Sequence, residues 1–179
     1  MSIKVKNISF AYDKTKVSNE AAAAEHLKKR LEKDLSSYTN STGTIYILTS
    51  IRLFGQKRND IDILVVGLLN NFRMSNLRIN GLRLISELNI SSFIINIELK
   101  SHPSSKVARE GYDYIVTYPN DPHHNASQQC KEAKFSLVNH LEDQLDVKLF
   151  IYDILWLNGL SKEDITEMRG DQMDRYSLI

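Results

Sequence analysis

Cysteine occurs once in the 179 residues, as Cys130. No disulfide can therefore form within the chain, and the sequence argues against a cysteine-ligated zinc site. Proline and glycine are also scarce, at 3 and 7, beside 42% hydrophobic and 25% charged residues. That profile excludes a collagen-like, low-complexity or disordered protein. Neither sign of charge is in excess, since 23 Lys and Arg face 22 Asp and Glu for a net +1. Binding to a polyanion would have to come from a local patch. No apolar run approaches the roughly 20 residues of a membrane span. The nearest, Ile61 to Leu69, is interrupted by Asp62, and the N-terminal MSIKVKNISFAYDKTK has no signal-peptide pattern. A phosphate-cradling glycine loop is missing, as is a Ser, His and Asp set in a nucleophile context. The expectation is a soluble domain of the reducing cytoplasm, without a membrane partner.

What is present is a regular alternation of periodicities. Asn19 to Leu35 carries four alanines and then Leu27, Leu31 and Leu35 at helical spacing, with Ser18 or Asn19 as cap and Glu20 in the first turn. Thr44–Ile51, Asp60–Val66, Phe93–Lys100, Tyr112–Tyr118 and Lys148–Leu157 read as strands. Ala126 to Leu145 is a second helix through Cys130, Ala133, Leu137 and Leu141, and Ser161 with Asp164 forms a capping box for a third. Pro119 to Asn125 reads as a polar loop, and Gly67 to Ser92 fits a hairpin or irregular insertion as well as a helix. The fold class is α/β (α+β), a mixed central sheet flanked by helices. One domain spans 1–179, with its core at about 17–157, an insertion at 67–92, and a C-terminal helix and tail at 161–179. The frayed ending RYSLI favours the N-terminal part of a longer protein.

Two strands carry charge where apolar flanks would bury it. Asp62 interrupts IDILVV, and Glu98 and Lys100 follow IINI. On a strand, residues two apart share a face, roughly 7 Å from one another. On the pattern, Asp60, Asp62, Leu64 and Val66 face one way, and Ile61, Ile63 and Val65 the other. Should Asp62 come alongside Glu98, two carboxylates would meet in a dry place and one would resist ionising. A hard divalent cation such as Mg²⁺ or Mn²⁺ removes that conflict and suits oxygen ligands. It would also stabilise charge on a phosphoryl oxygen, with Lys100 orienting or deprotonating a water. The bland alternative is a solvated cross-strand pair, with Glu20 a first-turn residue favoured by the helix dipole. Asp121, His123 and His124 rank lower, as solvated loop residues. Lys57, Arg58, Arg73, Arg78 and Arg83 are candidates for contacting phosphates, though not a dense patch.

Taken in order, Asn19-Glu20, Asp62 in DIDILVVG, Glu98-Leu99-Lys100, the strand Tyr112–Tyr118 and Asn125-Ala-Ser-Gln-Gln129 resemble the nuclease-related domain (NERD) family. That family is a branch of the PD-(D/E)xK, restriction-endonuclease-like superfamily, and the resemblance covers most of Val17 to Leu157. It implies an active site of Glu20, Asp62, Glu98, Lys100 and Gln129. Gln129 is preferred to Gln128 because Asn125 stands four residues before it. Asp62 and Glu98 would hold Mg²⁺, with Mn²⁺ able to substitute and the Leu99 carbonyl as a third ligand. The family's short hairpin between the strand Asp and the Glu-x-Lys is replaced here by the longer Gly67 to Ser92. That segment is expected to guide substrate, contact another copy in a homo-oligomer, or cover the site. The resemblance implies a nuclease acting on DNA more than RNA, often joined to an ATPase or helicase. The alternative is an inactive nuclease-like module for nucleic-acid binding or assembly.

Overall fold

In the computed structural model, residues 2–10, 18–74, 78–79, 82–83, 88–146 and 149–169 are described, with backbone alone at 78–79 and 82–83. The β-branched run Thr44–Ile51 becomes part of β2 (Thr42–Arg52). It pairs in parallel with β1 (Ile3–Ser9) and antiparallel with β3 (Asp60–Met74). β3 pairs antiparallel with β6 (Leu88–Lys100), and β6 in parallel with β10 (Tyr152–Leu157). The central sheet therefore has the order β1-β2-β3-β6-β10, mixed in direction.

A second, antiparallel sheet consists of β7 (Val107–Glu110), β8 (Asp113–Tyr118) and β9 (Asp121–Asn125). Together with three described helices this is a mixed α+β fold. Among the described residues no helix is long and apolar enough to cross a membrane.

Both long helices stand where periodicity predicts them. α1 (Asn19–Leu35) starts at Ser18, whose hydroxyl accepts the Ala21 N–H at 3.2 Å. Its buried Ala23 and Ala24 let the helix lie close on Ile45, Ile47, Ile63, Val65 and Ile97. α2 (Ala126–Leu145) starts at Asn125, which accepts the Gln128 N–H at 2.8 Å. Ala133 and Leu137 pack on Leu64, Ile61 and Ile151 over the opposite face. Each isoleucine or leucine buried in these layers contributes about 1.5–3 kcal/mol over an exposed one. α3 (Lys162–Arg169) has its capping box, with Ser161 and Asp164 bonded reciprocally at 2.7 and 3.1 Å.

Of the readings open for Gly67 to Ser92 the hairpin holds, and two other expectations are corrected. Gly67–Ser92 is largely the outer half of one hairpin. β3 and β6 run on through Phe72↔Ile90 to Met74↔Leu88, and the short β4 (Arg78–Ile79) and β5 (Leu82–Arg83) pair beyond them. Gly67 marks why the pairing continues: the Phe93 ring lies over it, where a Cβ would stand 2.2 Å from the ring.

Asp121–Asn125 is not a loop but β9, despite Pro122, because its edge position leaves that proline no ladder bond to break. Alternation on β3 also fails at Ile61. It joins the α2 side with Leu64 while Ile63 stays with α1. Opposite this break, Ser50 on β2 takes a left-handed φ of 57° and the ladder has no pair between Thr49↔Ile63 and Ile51↔Ile61. The tail after residue 169 lies outside the described residues.

After β10 the chain turns back against the end of β6. The Asn158 N–H donates to the Lys100 carbonyl at 2.9 Å. A Cβ on Gly159 would stand 2.1 Å from the His102 carbonyl oxygen, so only glycine fits. Gly159→Ala is expected to cost about 1–3 kcal/mol through overpacking, read as a lower denaturation midpoint in urea. An unchanged midpoint would show that the turn does not clamp residues 100–102.

Candidate active site

Asp62 and Glu98 meet because the β3–β6 ladder stops beside them. The last paired residues are Ile63↔Ile97, and one further step of that register sets Asp62 opposite Glu98. There the strands part, and the Leu99 N–H, freed from the ladder, donates to Asp62 Oδ2 at 2.8 Å. Glu98 is 1% exposed and accepts from Lys100 Nζ at 2.8 Å, with Lys100 itself buried. The bland reading of a solvated surface pair therefore does not hold. Charged groups so deep are almost never found without partners, and each here is the other's.

The electrostatics follow from that burial. Desolvation first, and the Glu98 carboxylate second, push Asp62 up from 3.8 to about 7, against the pull of the Leu99 N–H, then Lys100. For Lys100, burial is the largest single influence and opposes the charge. The attraction and hydrogen bond of Glu98, followed by Tyr118 and Asp62, outweigh it and leave the ammonium above its ordinary value. Lys100 is thus a cation at neutral pH, suited to orienting a water or offsetting phosphate charge rather than accepting a proton.

The remaining resemblance-implied residues stand at different depths. Glu20, half-buried in the first turn of α1, is close enough for its charge to act on Asp62. Gln129 is buried in the first turn of α2, and its side-chain oxygen is bonded to His124 Nε2. Its neighbour Cys130 is hydrogen-bonded to the Glu98 backbone, which sets this turn of α2 over the acidic pair. Burial pushes the Cys130 thiol up to about 12, as fits a packed rather than a reactive cysteine.

The basic residues do not form one surface. Lys57 pairs with Glu132 of α2 at 3.3 Å, and Arg58 pairs within the β2–β3 turn with Asp60 at 3.3 Å. Arg73 lies eleven positions along β3 from Asp62, about 36 Å at the strand rise. Arg78 and Arg83 are register partners across β4 and β5, and their side chains lie outside the described residues. His124, expected to be solvated, is instead bonded on both ring nitrogens, to Asp121 Oδ2 at 2.9 Å and to Gln129. No periodicity could flag it, because its partners come from a bulged strand pair and a helix start.

Among the described residues no three His, Cys, Asp or Glu side chains gather as a metal set. The donors offered are two carboxylates and a backbone oxygen. The Lys100 carbonyl points to β10, where it accepts from Asn158. Along an extended strand successive carbonyls alternate in direction. The Leu99 carbonyl therefore faces the β3 side, as its N–H does in reaching Asp62. This all-oxygen set fits a hard divalent cation, and the Asp62 charge, resisted first by burial and then by Glu98, is one such an ion would offset. No family model matches the chain, and neither a curated protein nor a solved structure matches it.

Because the native pKa of Asp62 lies above the unfolded one, its ionisation disfavours folding. Between pH 4 and 7 the unfolded chain has lost this proton and the native one retains it, so stability falls as pH rises through that window. Asp62→Asn, whose amide oxygen still accepts from Leu99, is expected to gain up to about 4 kcal/mol over wild type by pH 7 and little at pH 4. Urea midpoints across that range measure it. Equal offsets at both pH values would contradict the burial of this charge.

Proposed function

We propose that this protein is a cytoplasmic, divalent-metal-dependent nuclease of the PD-(D/E)xK kind, hydrolysing phosphodiester bonds in DNA ahead of RNA. The observation that carries the reading is the convergence of Asp62, Glu98 and Lys100 at the parting of β3 and β6, with Lys100 Nζ 2.8 Å from Glu98. Asp62, Glu98 and the Leu99 carbonyl would hold Mg²⁺, or Mn²⁺ in its place, which when bound supplies Lewis acidity towards the phosphoryl oxygen. Lys100 keeps its proton on Nζ and presents it to the attacking water or to the phosphate. Glu98 holds that ammonium in register, and Glu20 adds negative charge at the rim. Gln129 offers an amide to the substrate backbone. An ATPase or helicase partner and self-association belong to the same proposal.

The closed Glu98–Lys100 pair also favours a second reading, in which the module binds nucleic acid or an assembly partner without cutting. Plasmid incubation with Mg²⁺, Mn²⁺ or a chelator separates the two. Metal-dependent cleavage is expected, lost at least about a hundredfold in Glu98→Gln, which keeps a hydrogen-bond acceptor for Lys100 and whose folding is checked by circular dichroism. Intact DNA with wild type, together with no Mg²⁺ or Mn²⁺ heat in calorimetry, would sink the nuclease reading and leave the second.

A further inference from the structure

His124 is held at both ends by groups of different character. Nδ1 lies 2.9 Å from Asp121 Oδ2, and Nε2 is hydrogen-bonded to Gln129 Oε1. A carboxylate only accepts, so Nδ1 carries a hydrogen. Nε2 then has two states. In the imidazolium it donates to the Gln129 carbonyl, the end of the amide that faces it. In the neutral ring it is a bare acceptor, and the Gln129 amide must turn over to give it a hydrogen. Turning the amide exchanges which of its ends is free: NH₂ in the first state, carbonyl oxygen in the second.

The surroundings set this ring apart by its contacts. Tyr118 on β8 stands edge-on to His124 at 5.2 Å between ring centres, and His102, after β6, is edge-on to Tyr118 at 4.7 Å. Burial first, then Lys100, Lys106 and His124, drive His102 down, so it is neutral near pH 7 and adds no second cation. Asp121, on the same strand as His124, is the carboxylate beside it. Lys100, on β6 of the central sheet, and Lys106 are the positive charges that act on His102.

We propose that His124, oriented by Asp121, is a positioning residue that holds the Gln129 amide with its NH₂ turned to a phosphate of the nucleic-acid substrate. The inference rests on the nuclease reading and deepens it. A phosphate oxygen needs a donor, which Gln129 offers only while His124 is doubly protonated. Phosphate binding and His124 protonation therefore reinforce each other, as linked equilibria must. His124 itself does not touch the scissile group.

The test uses the full chain with ¹⁵N-labelled histidine and a short DNA duplex in EDTA, so that no cleavage is needed. Nδ1 of His124 is expected to keep its hydrogen throughout while Nε2 titrates, with a midpoint that moves up when the duplex is added. In cleavage assays KM for DNA should rise with pH through the same midpoint, with kcat moving less. His124→Ala should raise KM about tenfold, the worth of one hydrogen bond. His124→Asn, which donates but does not titrate, should restore KM and flatten its pH profile.

A duplex that leaves the His124 midpoint unmoved, or variants that keep the wild-type KM profile, would overturn the proposal. The spectra read wild type, so a variant that fails to fold does not protect it. Absence of cleavage by wild type would instead count against the nuclease reading, and the shift in EDTA would still decide the role of His124.

Discussion

One hydrogen bond sets the shape of the candidate site: the Leu99 N–H given to the Asp62 carboxylate instead of to the next residue of the ladder. A backbone donor freed inside a protein must find an acceptor, and a side chain meets that need where the strands part. Without Asp62 the β3–β6 ladder would have every reason to continue. The same bond aims a carboxylate at the end of β6, so the opening in the sheet and the chemistry in it have a common origin. Ser50, in its left-handed conformation across β2, allows the break on the other side. Backbone conformations of that cost, on the order of 1 kcal/mol for a side-chain-bearing residue, persist where neighbouring structure fixes them.

Charge is then governed by depth. The Glu98–Lys100 pair is so well excluded from water that each group depends on the other. Removing either would strand a charge, which is far more damaging than never having had the pair. Asp62 is the group left over, with Lys100 already engaged and Glu98 pushing against it. An anion resisted in this way is a receptive place for a cation, and the oxygen-only donor set narrows which cations suit it.

How much of this was legible in the sequence depends on how local the cause is. The two long helices and their caps follow from spacing within each segment, and so does the face shared by Glu98 and Lys100. Asp62 stood out because an acid among β-branched residues contradicts its surroundings. Its bond to Leu99, however, spans 37 positions and depends on register, which a single strand does not reveal. The length of the β3–β6 hairpin escaped the pattern because its outer half buries Leu69 and Phe72 three positions apart, across a bulge at left-handed Asn71 that breaks the alternation. β9 escaped because proline and two histidines spell a loop, and only its edge position reconciles them with a strand. His124 was undervalued for that same reason.

The connectivity of β6 has a kinetic consequence. Its partner on one side, β3, is the other arm of its own hairpin, whereas its partner on the other, β10, arrives about fifty residues later and in parallel. Contacts closed over short loops form early, and those that wait for a distant segment form late. Asp62 and Glu98 would therefore come together while the cover over them is still missing. The lysine's dry setting would be finished only when α2 and β10 dock. A chain interrupted before β10 would hold its acids in open water, where they ionise freely and lose the tension that marks the finished pocket.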